Sequence, residues 1–269
     1  MAETLIAADA VVKKFGKITA VDGITFKVDR GEIFAFLGPN GAGKSTTIKM
    51  MTTMLRPTSG KLTLNGFDVT KDQDAARQAF GIVFQDPSLD EELSAYENMY
   101  LHATLYQVPK VERQARIQEL LELVELWKRK DSMVKTFSGG MRRRLEIARG
   151  LLHEPKILFL DEPTLGLDTQ TRNLMWEYVR RLSKEKGMTI FFTTHYLDEA
   201  EDVADRIAII DHGKIVATGT TPELAKQTGT KNLESAYLKL TGETLRDEAE
   251  MGNNDGLNAR MARRNQSLR

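Results

Sequence analysis

Cysteine is absent from this chain of 269 residues, which excludes a disulfide framework, a thiolate nucleophile and a cysteine-bound zinc site. The histidines lie too far apart for a ligand-pair motif, so no dedicated metal cage is expected; they are His102, His153, His195 and His212. No apolar run approaches the roughly 18 residues of a membrane-spanning helix. A basic segment followed by an apolar one is also missing at the start, so no signal peptide is predicted and we expect a cytoplasmic protein.

Net charge is absent as well, because 38 Lys and Arg residues balance 38 Asp and Glu residues. This balance argues against a protein that holds nucleic acid through a bulk electrostatic field, and no nucleic-acid partner is expected. Charged residues make up 28% of the chain and hydrophobic residues 41%, which is typical of a globular protein. At about 150 residues per domain, the length predicts one large domain or two modest ones.

The apolar pattern predicts strands on both sides of a helical insertion. Residues 5–28 alternate like strands, with turns predicted at Gly16 and at Asp22-Gly23. The run Ile33–Leu37 is continuously apolar, as in a strand that is covered on both faces. Helical spacing over about residues 91–150 predicts a helical insertion. Strands then alternate with helices to residue 210, which predicts an α/β protein with a mainly parallel, doubly wound sheet.

The carboxyl-terminal part of the chain is polar. It contains four arginines and no acidic residue over positions 258–269. Such a segment buries little apolar surface, so we expect residues 241–269 to form a poorly ordered tail. Residues 1–240 are then left as the folded domain.

A glycine-rich run directly follows the apolar strand: Gly38, Pro39, Asn40, Gly41, Ala42, Gly43, Lys44 and Ser45. Glycines let successive backbone N–H groups turn inward and surround phosphate oxygens. The helix that is predicted to start near Lys44 adds the positive end of its dipole. Strand, glycine loop and helix in this order predict a phosphate-binding loop, with Lys44 on the β- and γ-phosphates and the Ser45 hydroxyl on magnesium.

Acidic residues that complete such a site follow another apolar run, residues 157–160. Asp161 would orient magnesium, and Glu162 would polarise a water that attacks the γ-phosphate. Gln85 and His195 also follow predicted strands, and the same sheet would bring them to the same edge. An isolated histidine there is more often a structural hydrogen-bond partner, but together with the other residues His195 is predicted to contact the γ-phosphate. This set predicts a hydrolase rather than a simple nucleotide binder.

A second glycine-rich turn, Ser138-Gly139-Gly140, precedes a helix predicted over residues 142–152. Its N–H groups and hydroxyl form another anion site. One chain has no obvious need for two, whereas in a symmetric head-to-tail dimer each could close over the nucleotide of the other subunit. The run Arg142-Arg143-Arg144 is interpreted as a charged helix face balanced by Glu146 and Glu154, rather than as a nucleic-acid site.

In this order the motifs resemble the nucleotide-binding subunit of ABC transporters over about residues 5–240. The matches are Walker A at residues 38–45, the Q-loop at Gln85, the signature at Ser138-Gly139-Gly140, Walker B at Asp161-Glu162, the D-loop at Asp168 and the H-loop at His195. Two departures, Phe137 where Leu is usual and Leu165 where Ser is frequent, remove no catalytic atom.

The resemblance implies a role for each matching residue. Glu162, His195 and Gln85 would be catalytic, and Ser45, Gln85 and Asp161 would bind magnesium. Phe15 would stack on adenine, and residues 38–45 and Thr46 would hold the nucleotide. Ser138, Gly139 and Gly140 would act on the nucleotide of the other subunit, with Asp168 at the dimer interface.

The resemblance also implies an architecture and partners. The fold would be a P-loop NTPase (RecA-like) core with a mainly parallel sheet, an N-terminal antiparallel β subdomain and an inserted α-helical subdomain. ATP with Mg²⁺ would close a head-to-tail homodimer, and hydrolysis would reopen it to drive a separate integral membrane permease from the cytoplasmic face of the membrane. Residues 19–23 and 233–242 are similar to daunorubicin-resistance-type ATPases, which favours export of drug-like or lipid-like compounds over import.

Other ATPase classes fit the sequence less well. Soluble, non-transport ABC ATPases usually carry two fused cassettes or a long coiled-coil insertion, and neither is visible in this chain. A P-loop kinase or a switch GTPase would not explain Ser138-Gly139-Gly140, and the guanine-reading Asn-Lys-x-Asp sequence is absent. A soluble ABC ATPase remains the alternative to a transporter motor.

Overall fold

The computed structural model describes residues 3–242, which form two β-sheets and a set of α-helices. The strands are β1 (Thr4–Phe15), β2 (Ile18–Asp29), β3 (Ile33–Leu37), β4 (Ser59–Leu64), β5 (Phe67–Asp68), β6 (Phe80–Val83), β7 (Ile157–Asp161), β8 (Thr189–Thr194), β9 (Arg206–Asp211) and β10 (Lys214–Gly219). The helices are α1 (Lys44–Met51), α2 (Gln73–Gln78), α3 (Ala95–Leu105), α4 (Lys110–Leu123), α5 (Gly139–Gly150), α6 (Thr169–Lys186), α7 (Leu197–Val203), α8 (Thr221–Thr228) and α9 (Leu233–Thr241). The predicted polar tail lies almost wholly outside the described residues.

The larger sheet has six strands in the order β10-β9-β3-β8-β7-β6. All neighbouring pairs are parallel except β9 and β10. Every residue of β3, β7 and β8 is buried, as expected for strands covered on both faces. The predicted α/β class with a mainly parallel sheet is confirmed, and the carboxyl ends of β3, β6, β7 and β8 lie along one edge.

The smaller sheet is antiparallel, with the order β2-β1-β4-β5. Gly16 lies in the turn between β1 and β2, as predicted. The turn predicted at Asp22-Gly23 is wrong, because β2 continues through both residues. Val11 pairs with Ile24 and Lys13 with Val21, so β2 carries one extra residue at this point. Gly23 has φ +70° and absorbs the resulting β-bulge without ending the strand.

Phenylalanine rings join the two sheets. Phe26 of β2 lies 5.6–5.9 Å, centroid to centroid, from Phe34, Phe36 and Phe191 of the parallel sheet. All four side chains are buried. Apolar burial of this kind is the main favourable term in folding, and it holds the antiparallel sheet against one face of the parallel sheet.

The opposite face of the parallel sheet packs against helices, including α3, α4 and α5 between β6 and β7. Helix α3 begins with a capping box in which Ser94 and Glu97 satisfy each other's backbone N–H groups. Helix α5 begins at Gly139, three residues before the predicted start, because the Ser138 side chain caps it. In the described residues 3–242, none of the helices is both long and apolar enough to span a bilayer.

Helix α5 approaches β6 at a glycine contact. A Cβ atom added to Gly81 of β6 would lie 2.1 Å from the carbonyl oxygen of Gly150, the last residue of α5. We expect Gly81→Ala to lower the free energy of unfolding by about 1–3 kcal/mol, because helix and strand must separate. Urea denaturation would measure this change.

Gly150→Ala is the matched control for this contact. A Cβ atom at Gly150 would meet its nearest atoms at 3.6 Å, an ordinary van der Waals distance. The free energy of unfolding should therefore remain unchanged or rise, since alanine favours helix over glycine. Equal losses in the two variants would contradict the contact.

Candidate active site

The glycine loop connects β3 to α1 at the carboxyl edge of the parallel sheet. Gly43 has φ +105°, and a Cβ atom there would lie 2.6 Å from the carbonyl oxygen of Ala20. Only glycine fits this conformation and this close approach. Helix α1 begins at the next residue, Lys44. The free N–H groups of its first turn therefore point toward the loop, as an anion site requires.

Lys44 is buried beneath the loop. Its ammonium donates hydrogen bonds to Gly38 O at 2.8 Å and Pro39 O at 3.2 Å. It also forms an ion pair with Glu162, with 3.0 Å between Nζ and Oε1. Only 4% of the Lys44 side chain and 8% of the Glu162 side chain are exposed, so solvent screens this pair weakly.

Asp161 ends β7 and faces the loop. Its Oδ1 accepts hydrogen bonds from Thr193 at 2.7 Å and from the Ser45 hydroxyl at 3.2 Å. Burial raises the pKa of Asp161, while the two hydroxyl donors act in the opposite direction. A hydroxyl and a carboxylate oxygen this close together are suitable ligands for Mg²⁺.

Glu162 has an unusual backbone conformation, with φ +46°. Its N–H donates to the Thr193 hydroxyl at 3.0 Å, and its Oε2 lies 3.4 Å from His195 Nδ1. Burial raises the pKa of Glu162, but the His195 and Lys44 side chains outweigh it and lower that pKa to about 2. The carboxylate is thus held ionised between two basic side chains.

These groups surround a pocket of about 300 Å³ at the sheet edge. Its lining residues are Ala20, Asn40, Gly41, Gly43, Lys44, Ser45, Thr46, Gln85 and Glu162. Most of the residues singled out in the glycine loop and after the strands therefore meet at one place, with His195 and Asp161 in contact with the lining. Phe15 does not line this pocket; it ends β1 with 46% of its surface exposed.

The second glycine turn lies elsewhere on the chain. Ser138 and Gly139 are exposed, and neither lines the pocket that contains Lys44. A Cβ atom at Gly139 would lie 3.5 Å from Leu167, next to Asp168, which caps α6. Within residues 3–242, the structure brings Ser138-Gly139-Gly140 close to Asp168 but not to the glycine loop.

The prediction that the arginine run forms a charged helix face is wrong for Arg143. This side chain is buried and donates to Phe84 O at 2.5 Å, to Gln85 O at 2.6 Å and to Glu146 Oε2 at 2.9 Å. Its guanidinium thereby fixes the backbone next to a pocket residue. The Glu146 pairing was anticipated from the sequence, but its burial was not.

Other residues at the site were missed from the sequence alone. Thr193 holds both Asp161 and the Glu162 backbone, but a threonine within a strand carries no signal of this role.

Glu154, expected to balance the arginine run, instead pairs with Arg116 at 3.4 Å. Arg144 pairs with Glu125. These partners are distant in sequence, so spacing could not identify them.

Comparisons with known proteins show which family this chain belongs to. A family model for ABC transporters matches residues 21–165. The chain is 44% identical over 245 residues to the daunorubicin/doxorubicin resistance ATP-binding protein DrrA of Streptomyces peucetius, covering 91% of this chain and 73% of that protein. It is 43% identical over 225 residues to the linearmycin resistance ATP-binding protein LnrL of Bacillus subtilis (strain 168), covering 84% and 72%.

Solved structures of ATP-binding subunits and cassettes are also similar to this chain. The solved structure of an ATP-binding subunit of an ABC transporter superposes with a TM-score of 0.79 at 33% identity, covering 88% of this chain and 99% of that one. The ATP-binding cassette MJ0796, a dimer bound to ADP and Pi, gives a TM-score of 0.72 at 28% identity and covers 80% and 98%.

The fold and site therefore define a P-loop ATPase of the ATP-binding-cassette class. The chain belongs to the ABC transporter family. It is an ATP-binding subunit that hydrolyses ATP as the motor of a transporter. Subunits of this class dimerise and pair with membrane permeases.

Removal of Arg143 tests the buried connection between α5 and the pocket. We expect Arg143→Ala to lower the free energy of unfolding by about 3–5 kcal/mol, because it removes the cation that pairs with the buried Glu146 carboxylate. Arg142→Ala is the control, since Arg142 pairs with Glu91 near the surface and its loss should cost at most about 1 kcal/mol. Chemical denaturation of both variants measures the difference, and similar losses would refute the distinction.

Proposed function

We propose that this chain hydrolyses Mg–ATP at the pocket beside Lys44 and drives export of drug-like or lipid-like compounds through a separate integral membrane permease. The observation that carries the hydrolytic part is the meeting of Lys44, Asp161, Glu162 and His195 at one sheet edge. The export part is supported by relatives named for daunorubicin, doxorubicin and linearmycin resistance and for Nod factor export.

The glycine loop would hold the phosphates of ATP. Its N–H groups and the first turn of α1 supply donors, and Lys44 supplies the positive charge for the β- and γ-phosphates. The nucleotide contacts would extend over residues 38–46. Phe15, exposed at the end of β1 with the Lys13 ammonium 4.9 Å from its ring centroid, offers a π face for adenine.

The oxygen ligands at the site fit magnesium that arrives with ATP. The Ser45 hydroxyl and Asp161 Oδ1 are 3.2 Å apart, and the Gln85 side chain lines the same pocket. No group of three or more His, Cys, Asp or Glu side chains that could bind a metal occurs among residues 3–242. The donors thus suit an ion that takes its other ligands from phosphate and water, and that would neutralise charge on the phosphate oxygens.

Glu162 would act as the general base, with His195 beside it to contact the γ-phosphate. The ion pair with Lys44 keeps the pKa of Glu162 low and makes its carboxylate a weak base. Phosphate oxygens compete for the same ammonium. When Lys44 turns toward them, Glu162 loses that stabilising contact and its pKa rises, so nucleotide binding would itself make Glu162 a better acceptor for a proton from water.

The functional unit would be a head-to-tail homodimer. Ser138 and Gly139 are exposed on a surface that also carries Asp168, away from the pocket of their own chain. A serine hydroxyl and a helix N-terminus form an anion site that a second copy could present to the γ-phosphate. ATP binding would close this dimer, and hydrolysis would reopen it.

The permease would dock on the helical side of the chain. A groove of about 910 Å³ runs between the α3–α4 connection, α4 and the loop after α5. Apolar side chains stand exposed beside it, with 66% of Leu105 and 90% of Val111 accessible. Arg149 of α5 donates to Ser88 O at 2.6 Å and so joins α5, whose following loop lines the groove, to the segment after Gln85. Docking there would hold the ATPase at the cytoplasmic face of the membrane.

Glu162→Gln tests the proposed base. We expect turnover to fall by about 10²–10⁴-fold, because the amide cannot accept the proton of the attacking water. ATP affinity should persist, since Lys44 and the glycine loop remain intact. Phosphate release and nucleotide binding measure the two quantities. Glu185→Gln, an exposed substitution on α6, is the control; near-normal hydrolysis by Glu162→Gln would refute the role.

Capture from membranes tests the permease. Tagged Glu162→Gln protein, incubated with Mg–ATP and detergent-solubilised native membranes, should co-purify a multi-span membrane protein identified by mass spectrometry. The double variant Leu105→Glu, Val111→Glu, made in the same background, should lose that protein and still bind ATP, because both side chains are exposed and distant from the pocket. Recovery of soluble partners alone, or equal capture by both proteins, would contradict the proposed docking.

A further inference from the structure

A buried carboxylate with no role in the proposed mechanism lies behind the pocket. Glu199, in the first turn of α7, is 3% exposed. Its Oε1 accepts a hydrogen bond from the Thr164 hydroxyl at 2.5 Å, and its Oε2 accepts one from the Thr194 hydroxyl at 2.8 Å. A carboxylate taken this far from water is costly unless its oxygens are satisfied, and here both are.

The two donors belong to different catalytic segments. Thr164 follows Glu162 by two residues, after β7, and Thr194 immediately precedes His195 at the end of β8. One side chain therefore connects the turn that carries the proposed base to the strand end that carries its histidine neighbour.

The conformation of Glu162 explains why such a connection is needed. Its φ of +46° is in the left-handed region, which residues other than glycine rarely adopt and which persists only when the surrounding structure holds it. Thr193 holds the N–H of Glu162 on one side. On the other side the chain makes the Leu165 N–H to Glu162 O bond, at 3.3 Å, and the Thr164 contact to Glu199.

We propose that Glu199 is a positioning residue for ATP hydrolysis, which holds the strained turn at Glu162 in register with His195. The inference rests on the proposed function, because it takes Glu162 as the base. With Thr164 anchored, the Glu162 carboxylate stays 3.4 Å from His195 Nδ1. Without that anchor the turn relaxes, and the carboxylate leaves the geometry needed to reach the attacking water.

The same carboxylate reaches the start of α6. Arg172 Nε lies 3.5 Å from Glu199 Oε1, and the backbone N–H of Arg172 donates to the backbone oxygen of Asp168 at 2.9 Å. The Arg172 guanidinium also lies 4.6 Å from the ring centroid of Tyr196, whose ring is 4.1 Å from that of His195. Glu199 and Arg172 thus link Glu162 and His195 to the Asp168 segment, which we place at the subunit interface.

Steady-state hydrolysis by full-length variants tests the inference. Glu199→Gln keeps the shape of the side chain but can accept only one of the two hydroxyl bonds. Thr164→Val removes one donor, and Thr164→Ser restores it. We expect Glu199→Gln and Thr164→Val to lower kcat by about tenfold to a hundredfold, with KM for ATP within about twofold of the wild type. Thr164→Ser should recover most of kcat.

A control separates positioning from stability. Thr228→Val in α8 also removes a buried hydroxyl, which donates to Leu224 O at 2.8 Å and does not line the pocket. It should lower the free energy of unfolding to a similar degree and leave kcat unchanged. If kcat follows the free energy of unfolding across all four variants, or if Thr164→Ser is no better than Thr164→Val, the positioning role is overturned.

Glu162→Gln, measured in the same assay, distinguishes an error in the proposed base from an error in the proposed role of Glu199. Normal turnover in that variant would refute the proposed base. Lost turnover in Glu162→Gln with normal kcat in Glu199→Gln and Thr164→Val would refute only the role of Glu199. If Glu199→Gln does not fold, the Thr164→Val and Thr164→Ser pair decides the question, because both variants keep the buried Glu199 carboxylate and change only one of its partners.

Discussion

The register of three buried parallel strands is the constraint on which the site depends. Leu37 at the end of β3 pairs with Thr194 of β8, and Asp161 at the end of β7 pairs with Thr193 of the same strand. This alignment brings the glycine loop, the acid pair and His195 to one edge within hydrogen-bond reach. A one-residue slip of β8 would turn Thr193 to the opposite face and remove the hydroxyl that donates to Asp161 and accepts from the Glu162 N–H.

The charges at this edge do not serve stability. Lys44, Asp161 and Glu162 are almost fully buried, and removing charged groups from water costs more than a single ion pair usually returns. Hydroxyl donors from Thr193 and Ser45 and the nearby His195 offset part of that cost. Burial raises the pKa of both adjacent carboxyls: at Asp161 it outweighs the hydroxyl donors, whereas at Glu162 the His195 and Lys44 side chains outweigh it and lower the pKa.

Local patterns in the sequence predicted the parts of the molecule that local physics determines. The glycine loop, the acid pair and the apolar strands carry their own signals, so residues 38–46, Asp161, Glu162 and His195 could be selected as candidates before the structure. Contacts between distant segments could not. Asp22-Gly23 looks like a turn until β1 is seen to pair past it, and the burial of Arg143 depends on where β6 ends. No sequence pattern marks Glu199, because its role depends on a contact with Thr164, which lies 35 residues away in the chain.

The bulge at Asp22-Gly23 has a consequence for the protein in concentrated solution. Strand β2 is twelve residues long and forms an outer strand of its sheet, and a long outer strand is a template on which another chain can add. The extra residue interrupts that template, and the Asp22 N–H is already engaged by Gly213 O at 2.8 Å. A neighbouring chain would find no continuous row of donors and acceptors along β2, so the bulge makes this edge a poorer template for strand addition.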